Sequence, residues 1–463
     1  MKFLPEEDTI VALSSPLGKG AIALIRVSGS QSLTIVNKNL KTPISPKDVR
    51  KAHFTDFVDT SDGHTIDQVV VTFFKAPHSY TGEDVLEISC HCNHLIINDI
   101  IHCLIKNGAR TAEPGEFTFR AFMNGKLDLS QAEAVAEVIN SRTRQSLNQS
   151  LRHLEGKLSE KISLIKNEIL NYLSLMEINL DFSDEEIEVM PLEHLVEKID
   201  KTINELNHLK SSYDYGRLLQ EGIKMLILGK PNVGKSSLLN ALLKKERAIV
   251  SDIPGTTRDY IEASLEIDGL SVQAVDTAGI RHTEDTIEAM GVQRALEQIK
   301  TTDIVLCLFE APYPLNQDDE KLIEIINEYR ETVKFLLVLN KIDISINRET
   351  EKRLKSLNLP EAAISAEKHT GLEKLKGLIK EQLVSDFSME SEEVVVTSAR
   401  HFEALNKTIE SLQHARDSVL ARATEEIIAV DLRLALDHLG EITGETTPED
   451  VLNHIFANFC IGK

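Results

Sequence analysis

One stretch leaves the chain little freedom. Met225-Leu226-Ile227-Leu228 is a short strand of the buried type, and Gly229-Lys230-Pro231-Asn232-Val233-Gly234-Lys235-Ser236 follows it at once and opens a helix. Strand, glycine-rich turn and helix in that order form a phosphate-binding loop. Backbone N–H groups cradle phosphates, Lys235 offsets the β/γ charge, and the Ser236 hydroxyl ligates Mg²⁺. Further buried-type strands at 272–275, 304–309 and 335–339 alternate with helical segments. Residues 222–383 therefore read as an α/β domain with a mostly parallel, doubly wound sheet.

Three later pieces narrow the ligand. Thr256-Thr257 lies on a loop suited to ordering around a γ-phosphate, with Thr257 as second Mg²⁺ ligand. Asp276-Thr277-Ala278-Gly279 follows a hairpin whose turn is Asp268-Gly269; Asp276 would hold Mg²⁺ through water, and Gly279 would offer an N–H to the γ-phosphate. Asn340-Lys341-Ile342-Asp343 selects the base, because a carboxylate at Asp343 accepts two donors that guanine supplies and adenine does not. Ser365-Ala366 places a backbone N–H near the guanine O6. The expected GTP contacts are Asn232, Val233, Gly234, Lys235, Ser236 and Ser237; Ser251, Asp252, Ile253, Pro254, Gly255, Thr256 and Thr257; Asp276, Thr277, Ala278 and Gly279; Asn340, Lys341 and Asp343; and Ser365, Ala366 and Glu367. Ile280 occupies the position where a water-orienting Gln often sits, and no arginine is placed as an internal finger. Another group must orient water, and another cation must meet the transition-state charge.

The rest of the chain is less explicit. With 463 residues it has room for two or three domains. No apolar run is long enough to span a membrane, the acidic start lacks a secretory pattern, and five scattered cysteines do not resemble a disulfide framework. The expectation is a cytoplasmic protein. Residues 1–121 hold 12 Lys+Arg against 14 Asp+Glu, so nearly all of the -22 net charge lies beyond them. A nucleic-acid partner would have to meet a local patch or a second protein.

Residues 1–121 read as α+β, with strands at 22–27 and 68–74 and a helix at 95–107. From Leu147 to Met176 apolar residues recur about every 3.6 positions, which predicts one straight amphipathic helix of a bundle. Pro191 and a second helix at 192–209 follow, and the chain is helical again from 391 to 459. The expected domains are 1–121, a helical domain in two parts at 122–216 and 386–463, and a nucleotide domain at 217–385 inserted between them.

Five stretches resemble one family, the tRNA uridine-modifying GTPases called MnmE or TrmE. They are 18–29 with Arg26; Thr81-Gly82-Glu83-Asp84-Val85-Leu86-Glu87; and 113–128 with Pro114-Gly115-Glu116-Phe117 and Asn124-Gly125-Lys126-Leu127-Asp128. The others are the GTPase core with 251–259 and the terminal Cys460-Ile461-Gly462-Lys463. The resemblance covers essentially the whole chain. It implies a K⁺ ion in place of an arginine finger, held by Asn232, Ser251, Ile253 and Thr256, and Glu288 as the residue orienting the attacking water, with Lys235 as the other catalytic group. Taken alone, Glu288 reads as a solvated acid in the first turn of a helix.

The resemblance also implies an amino-terminal domain binding a reduced folate, 5-formyl- or 5,10-methylene-tetrahydrofolate, through Arg26, Glu87, Lys126 and Lys463. Read alone these are surface charges. It further implies a homodimer, a heterotetramer with the flavoprotein MnmG, and an aminomethyl-type group installed at C5 of the wobble uridine of tRNA. The sequence departs from the family at Cys90-His91-Cys92-Asn93-His94, where a glycine-rich turn is usual; no second ligand pair at zinc-finger spacing accompanies it. The alternative readings are a ribosome-assembly or other RNA-binding regulatory GTPase, and a dimerising scaffold with a vestigial GTPase. The first would bring a basic module, absent here; the second leaves Lys235, Ser236, Asp276 and Asp343 unexplained.

Overall fold

The computed structural model describes residues 8–16, 18–181, 192–245, 263–274, 297–384, 393–457, 459, 461 and 462. The chain divides into two compact units, Met1–Ile139, Leu151–Leu206 and Glu403–Lys463 in one, Asn140–Ser150 and Asn207–Phe402 in the other.

The first unit opens with strands β1 (Ile10–Leu13), β2 (Ile22–Ser28), β3 (Ala52–Val58), β4 (Thr65–Phe74), β5 (Val85–His91) and β6 (Arg110–Thr111), and helices α1 (Ser32–Asn37) and α2 (His94–Lys106). The sheet order is β3-β4-β5-β2-β1-β6, antiparallel except for the β1/β6 pair. Strand alternation sorts the side chains by face. Ala23, Ile25 and Val27 pack with Leu86, Ile88 and Cys90 and with Ile97, Ile100 and Leu104 of α2. Arg26 and Glu87 thus fall on the opposite face, directly across from one another in register.

Helices α3 (Glu116–Met123), α4 (Leu129–Asn140), α5 (Arg144–Leu154), α6 (Lys157–Asp181), α7 (Leu192–Ser211) and α8 (Tyr213–Glu221) follow. The single helix expected over 147–176 is two. Gly156, at φ +85°, takes the left-handed conformation that ends α5, and α6 starts one residue later. The buried stripe belongs to α6, with Leu158, Ile162, Ile165, Ile169 and Met176, whereas Leu151 on α5 is exposed.

Strands β7 (Ile223–Leu228), β8 (Ala263–Ile267), β9 (Leu270–Ala274), β10 (Ile304–Glu310), β11 (Lys334–Asn340) and β12 (Glu361–Ala363) build the second sheet. With them go helices α9 (Lys235–Lys245), α10 (Gln317–Tyr329), α11 (Arg348–Lys355) and α12 (Leu372–Val384). The order is β12-β11-β10-β7-β9-β8, parallel except for β8. Its central strands carry near-continuous apolar runs, with polar residues toward their ends, because both faces are covered. Leu306 and Leu308 pack toward α9 and α12, and Val305, Cys307 and Phe309 toward α10 and α11. The Asp268-Gly269 hairpin turn forms as the sequence predicts, both residues having positive φ.

The chain closes with α13 (Ala399–Leu420), α14 (Glu425–Thr443) and α15 (Glu449–Ala457). α14 packs along α6. Phe456 of α15 is fully buried, edge-on to Phe119 of α3 at 5.3 Å. Beyond α15 the chain returns to the front sheet, where Ser14 Oγ donates to the Gly462 carbonyl at 3.0 Å. None of the described helices is long and apolar enough to cross a membrane.

Candidate functional site

The loop 229–234 leaves the C-terminal edge of β7 at the centre of the parallel sheet and feeds α9, the place where open α/β sheets bind ligands. Two residues set its shape. Asn232 has φ +63°, a conformation that few side chains other than Asn tolerate. Gly234 has φ +104°, and a Cβ there would lie 2.3 Å from Asn340 Nδ2, so the position admits only glycine. Lys235 curls back over the loop, donating to the Gly229 carbonyl at 2.7 Å and the Lys230 carbonyl at 2.9 Å. Burial pushes its ammonium below the usual lysine range. Ser236 and Ser237 are exposed in the first turn of α9.

The Asn340-Lys341-Ile342-Asp343 motif is tied to this loop by polar contacts, those of Asn340 buried. Asn340, 2 % exposed at the end of β11, donates to the Val233 carbonyl at 2.9 Å and accepts from Ala366 N–H at 3.1 Å. Lys341 Nζ donates to the Asn232 carbonyl at 2.9 Å. A hydrogen bond from Ser365 holds the exposed Asp343 carboxyl below the usual carboxylate range, so it is ionised at neutral pH. Ser365 and Ala366 are buried, while Glu367 is exposed. The structure thus brings residues 229–237, 340–343 and 365–367 to one sheet edge. Ser251, Asp252, Ile253, Pro254, Gly255, Thr256, Thr257, Asp276, Thr277, Ala278, Gly279 and Glu288 lie outside the described residues.

Sequence reading missed a layer beneath this surface. Lys230 Nζ, nearly buried, pairs with Glu310 Oε2 at 3.1 Å and Asp319 Oδ2 at 3.0 Å. The other Glu310 oxygen accepts from Lys341. Glu310 stands opposite Asn340 in the β10/β11 register, a placement visible only once the strands are paired.

On the face of the front sheet away from α2, Arg26 Nη2 and Nε donate to Glu87 Oε1 at 2.8 and 3.1 Å. The Arg26 guanidinium also lies 5.1 Å from the centre of the Tyr80 ring and 5.7 Å from that of Phe117. Neither aromatic was singled out from the sequence, although Phe117 sits inside one of the matching stretches. Lys126 is exposed. Its loop is held to the neighbouring turn by Asn124 Nδ2, which donates to the Thr81 carbonyl at 2.7 Å. Lys463 and Cys460 lie outside the described residues.

Beside this face runs an ion network. Arg120, 11 % exposed, donates to Asp8, Glu83 and Glu116, and Arg110 donates to Asp8 and Glu116. Burial alone would raise the Glu116 carboxyl, but hydrogen bonds from Arg110, the Glu113 N–H and Arg120 outweigh it and hold the group below the usual range.

The Cys-His run does not assemble. Cys90 points into the core, and burial pushes its thiol up to about 11. His91, on the other face, pairs with Asp67 at 2.8 Å, and His94 with Asn98. Among the described residues the grouping with metal-like spacing is instead Asp59, Asp62 and His64 on a surface loop.

A glycine-formed phosphate loop at the switch edge of a doubly wound sheet, with an Asn-Lys-Ile-Asp base motif latched to it, defines the class of P-loop GTPases. Residues 9–126 match the family described as GTP-binding protein TrmE N-terminus, and residues 129–460 match the MnmE helical domain. The chain is 43 % identical over 465 residues to the tRNA modification GTPase MnmE of Carboxydothermus hydrogenoformans, covering 99 % of this chain and 100 % of that one. It is 41 % identical over 460 residues to the protein of the same name from Natranaerobius thermophilus, with coverage of 99 % and 100 %. To that from Aquifex aeolicus it is 42 % identical over 457 residues, with coverage of 98 % and 100 %. The chain belongs to the MnmE family of tRNA modification GTPases.

Proposed function

We propose that this chain is the GTP-hydrolysing component of a complex that adds an aminomethyl or carboxymethylaminomethyl group to C5 of the wobble uridine, position 34, of tRNA. The observation that carries the reading is the pairing, in one chain, of the latched phosphate and base loops with the Arg26–Glu87 pair flanked by two aromatic rings. In this reading residues 217–385 form a nucleotide domain inserted between helical segments 122–216 and 386–463, and residues 1–121 form the folate-binding and dimerising front.

Lys235 and the loop N–H groups hold the phosphates, and Asp343 reads the guanine edge. Ser236, exposed at the start of α9, and Thr257 are the Mg²⁺ ligands. The metal offsets charge on the phosphate oxygens. Asn232, Ser251, Ile253 and Thr256 supply oxygen ligands for K⁺, whose charge substitutes for an arginine finger. Oxygen donors of this kind suit such a cation. Glu288 orients the attacking water, the task Ile280 cannot perform, and K⁺-stimulated hydrolysis accompanies approach of two nucleotide domains in a homodimer. At the front, the half-buried Tyr80 ring beside Arg26 offers flat apolar surface to a pterin, and the buried Phe117 ring backs the guanidinium. Arg26, Lys126 and Lys463 are the cations for the ligand's carboxylates, and Glu87 accepts from its donor edge. The partners are MnmG, in a heterotetramer, and tRNA, in the cytoplasm.

Nucleoside analysis of tRNA from three strains tests this, one with the wild-type gene, one lacking it and one carrying Arg26→Ala. Loss of the C5 group at uridine 34 is expected in the deletion, with strong reduction in Arg26→Ala. Unchanged uridine 34 in the deletion would favour a ribosome-assembly GTPase. Loss in the deletion with full modification in Arg26→Ala would remove the folate assignment alone.

A further inference from the structure

Base recognition and phosphate recognition in a nucleotide site are usually credited to separate loops. Here a third element stands between them. Glu310 ends β10, the strand between β7, which feeds the phosphate loop, and β11, which ends in Asn340. Its carboxylate is shared, Oε2 accepting from Lys230 at 3.1 Å and the other oxygen from Lys341. The three side chains are 10 %, 13 % and 32 % exposed, so the contacts are partly shielded from water. Lys341 completes the circuit by donating to the carbonyl of Asn232.

Lys230 is itself anchored. Asp319, 1 % exposed in the capping box that opens α10, accepts from it at 3.0 Å. The other Asp319 oxygen is buried without a hydrogen-bond partner, so withdrawing Lys230 would strand a carboxylate that is already under-satisfied. Lys230 is therefore a fixed post, and Glu310 transmits its position to Lys341. Without the charge on Glu310, two ammonium groups would face one acceptor site, with Asp319 offsetting the charge of Lys230 but no carboxylate between the two lysines.

We propose that Glu310 is a positioning residue for the guanine nucleotide, holding the base-motif lysine Lys341 and the phosphate loop in one geometry through Lys230. The proposal rests on reading 229–236 and 340–343 as the GTP site. Glu310 touches no nucleotide atom in this scheme and acts through the two lysines.

The test uses the full-length protein, a fluorescent GDP analogue and GTP turnover at saturating substrate. Glu310→Gln is expected to raise the GDP Kd about tenfold, mostly through faster release, while saturated turnover falls less than threefold. Lys341→Met should weaken binding comparably, and the double variant should bind no worse than the weaker-binding single variant, because both remove one linkage. Glu310→Asp, which keeps the charge, should recover part of the loss. Unchanged Kd in Glu310→Gln, multiplied effects in the double variant, or no relief in Glu310→Asp would each overturn the proposal. A wild-type protein that binds no GDP would sink the nucleotide reading and this proposal with it.

Discussion

The phosphate loop and the ion network of the front sheet both handle charge, by opposite means. In the loop the work falls to the main chain: Asn232 and Gly234 take positive φ, Lys235 folds back on two carbonyls, and the Asn340 amide pins the curve from below. The front network is built mainly from charged side chains, with main-chain groups of Asp8, Thr111 and Glu113 only adding to it. Arg120 reaches Asp8 across 112 positions and Glu83 across 37, with Arg110 and Glu116 closing the ring. The difference lies in what each can lose. A main-chain site fails when the curve cannot form, whereas a side-chain network fails when one charge leaves its neighbours unpaired.

The sharpest break should come at Gly234. Alanine there brings a Cβ to 2.3 Å from Asn340 Nδ2 at a φ of +104°, and the strain falls on the loop itself. Fluorescent GDP titration is expected to show binding weakened by about a thousandfold or more, the equivalent of roughly 4 kcal/mol. Near-normal affinity would show that the curve is not what the site depends on.

Next is Arg120→Ala, which takes the arginine from Glu83 and leaves Arg110 alone to serve Asp8 and Glu116, all three partly or fully buried. Urea unfolding should show the transition that includes the front sheet destabilised by about 3–5 kcal/mol, with GDP affinity unmoved. A change under about 1 kcal/mol would mean water already shares these charges.

The smallest effect is expected from the cation. If K⁺ substitutes for arginine at the nucleotide while arginine serves at the front, GTP turnover should be about tenfold faster in K⁺ than in Na⁺ at equal ionic strength. Equal rates would remove K⁺ from the site.

The same contrast explains what could be read in advance. The phosphate loop was legible because its chemistry is compressed into eight consecutive residues between a strand and a helix. Asn340 to Asp343 were legible for the same reason. Arg26 and Glu87 are 61 positions apart, and only the β2/β5 register makes them neighbours. Tyr80, Phe117 and Glu310 gave no local signal, since an aromatic or an acid at a strand end usually has a bland explanation. The helix break at Gly156 was missed because apolar spacing continues across it, while a single left-handed glycine decides where the helix stops. Periodicity reports which side is apolar, and continuity is a backbone matter.

Asn340 carries a consequence of its own. Its one amide group serves two masters, giving its proton to Val233 and its oxygen to Ala366. The phosphate loop and the segment at Ala366 therefore hang on a common hinge pin. Prising either one away strips a buried amide of a partner, so the two are costly to move apart.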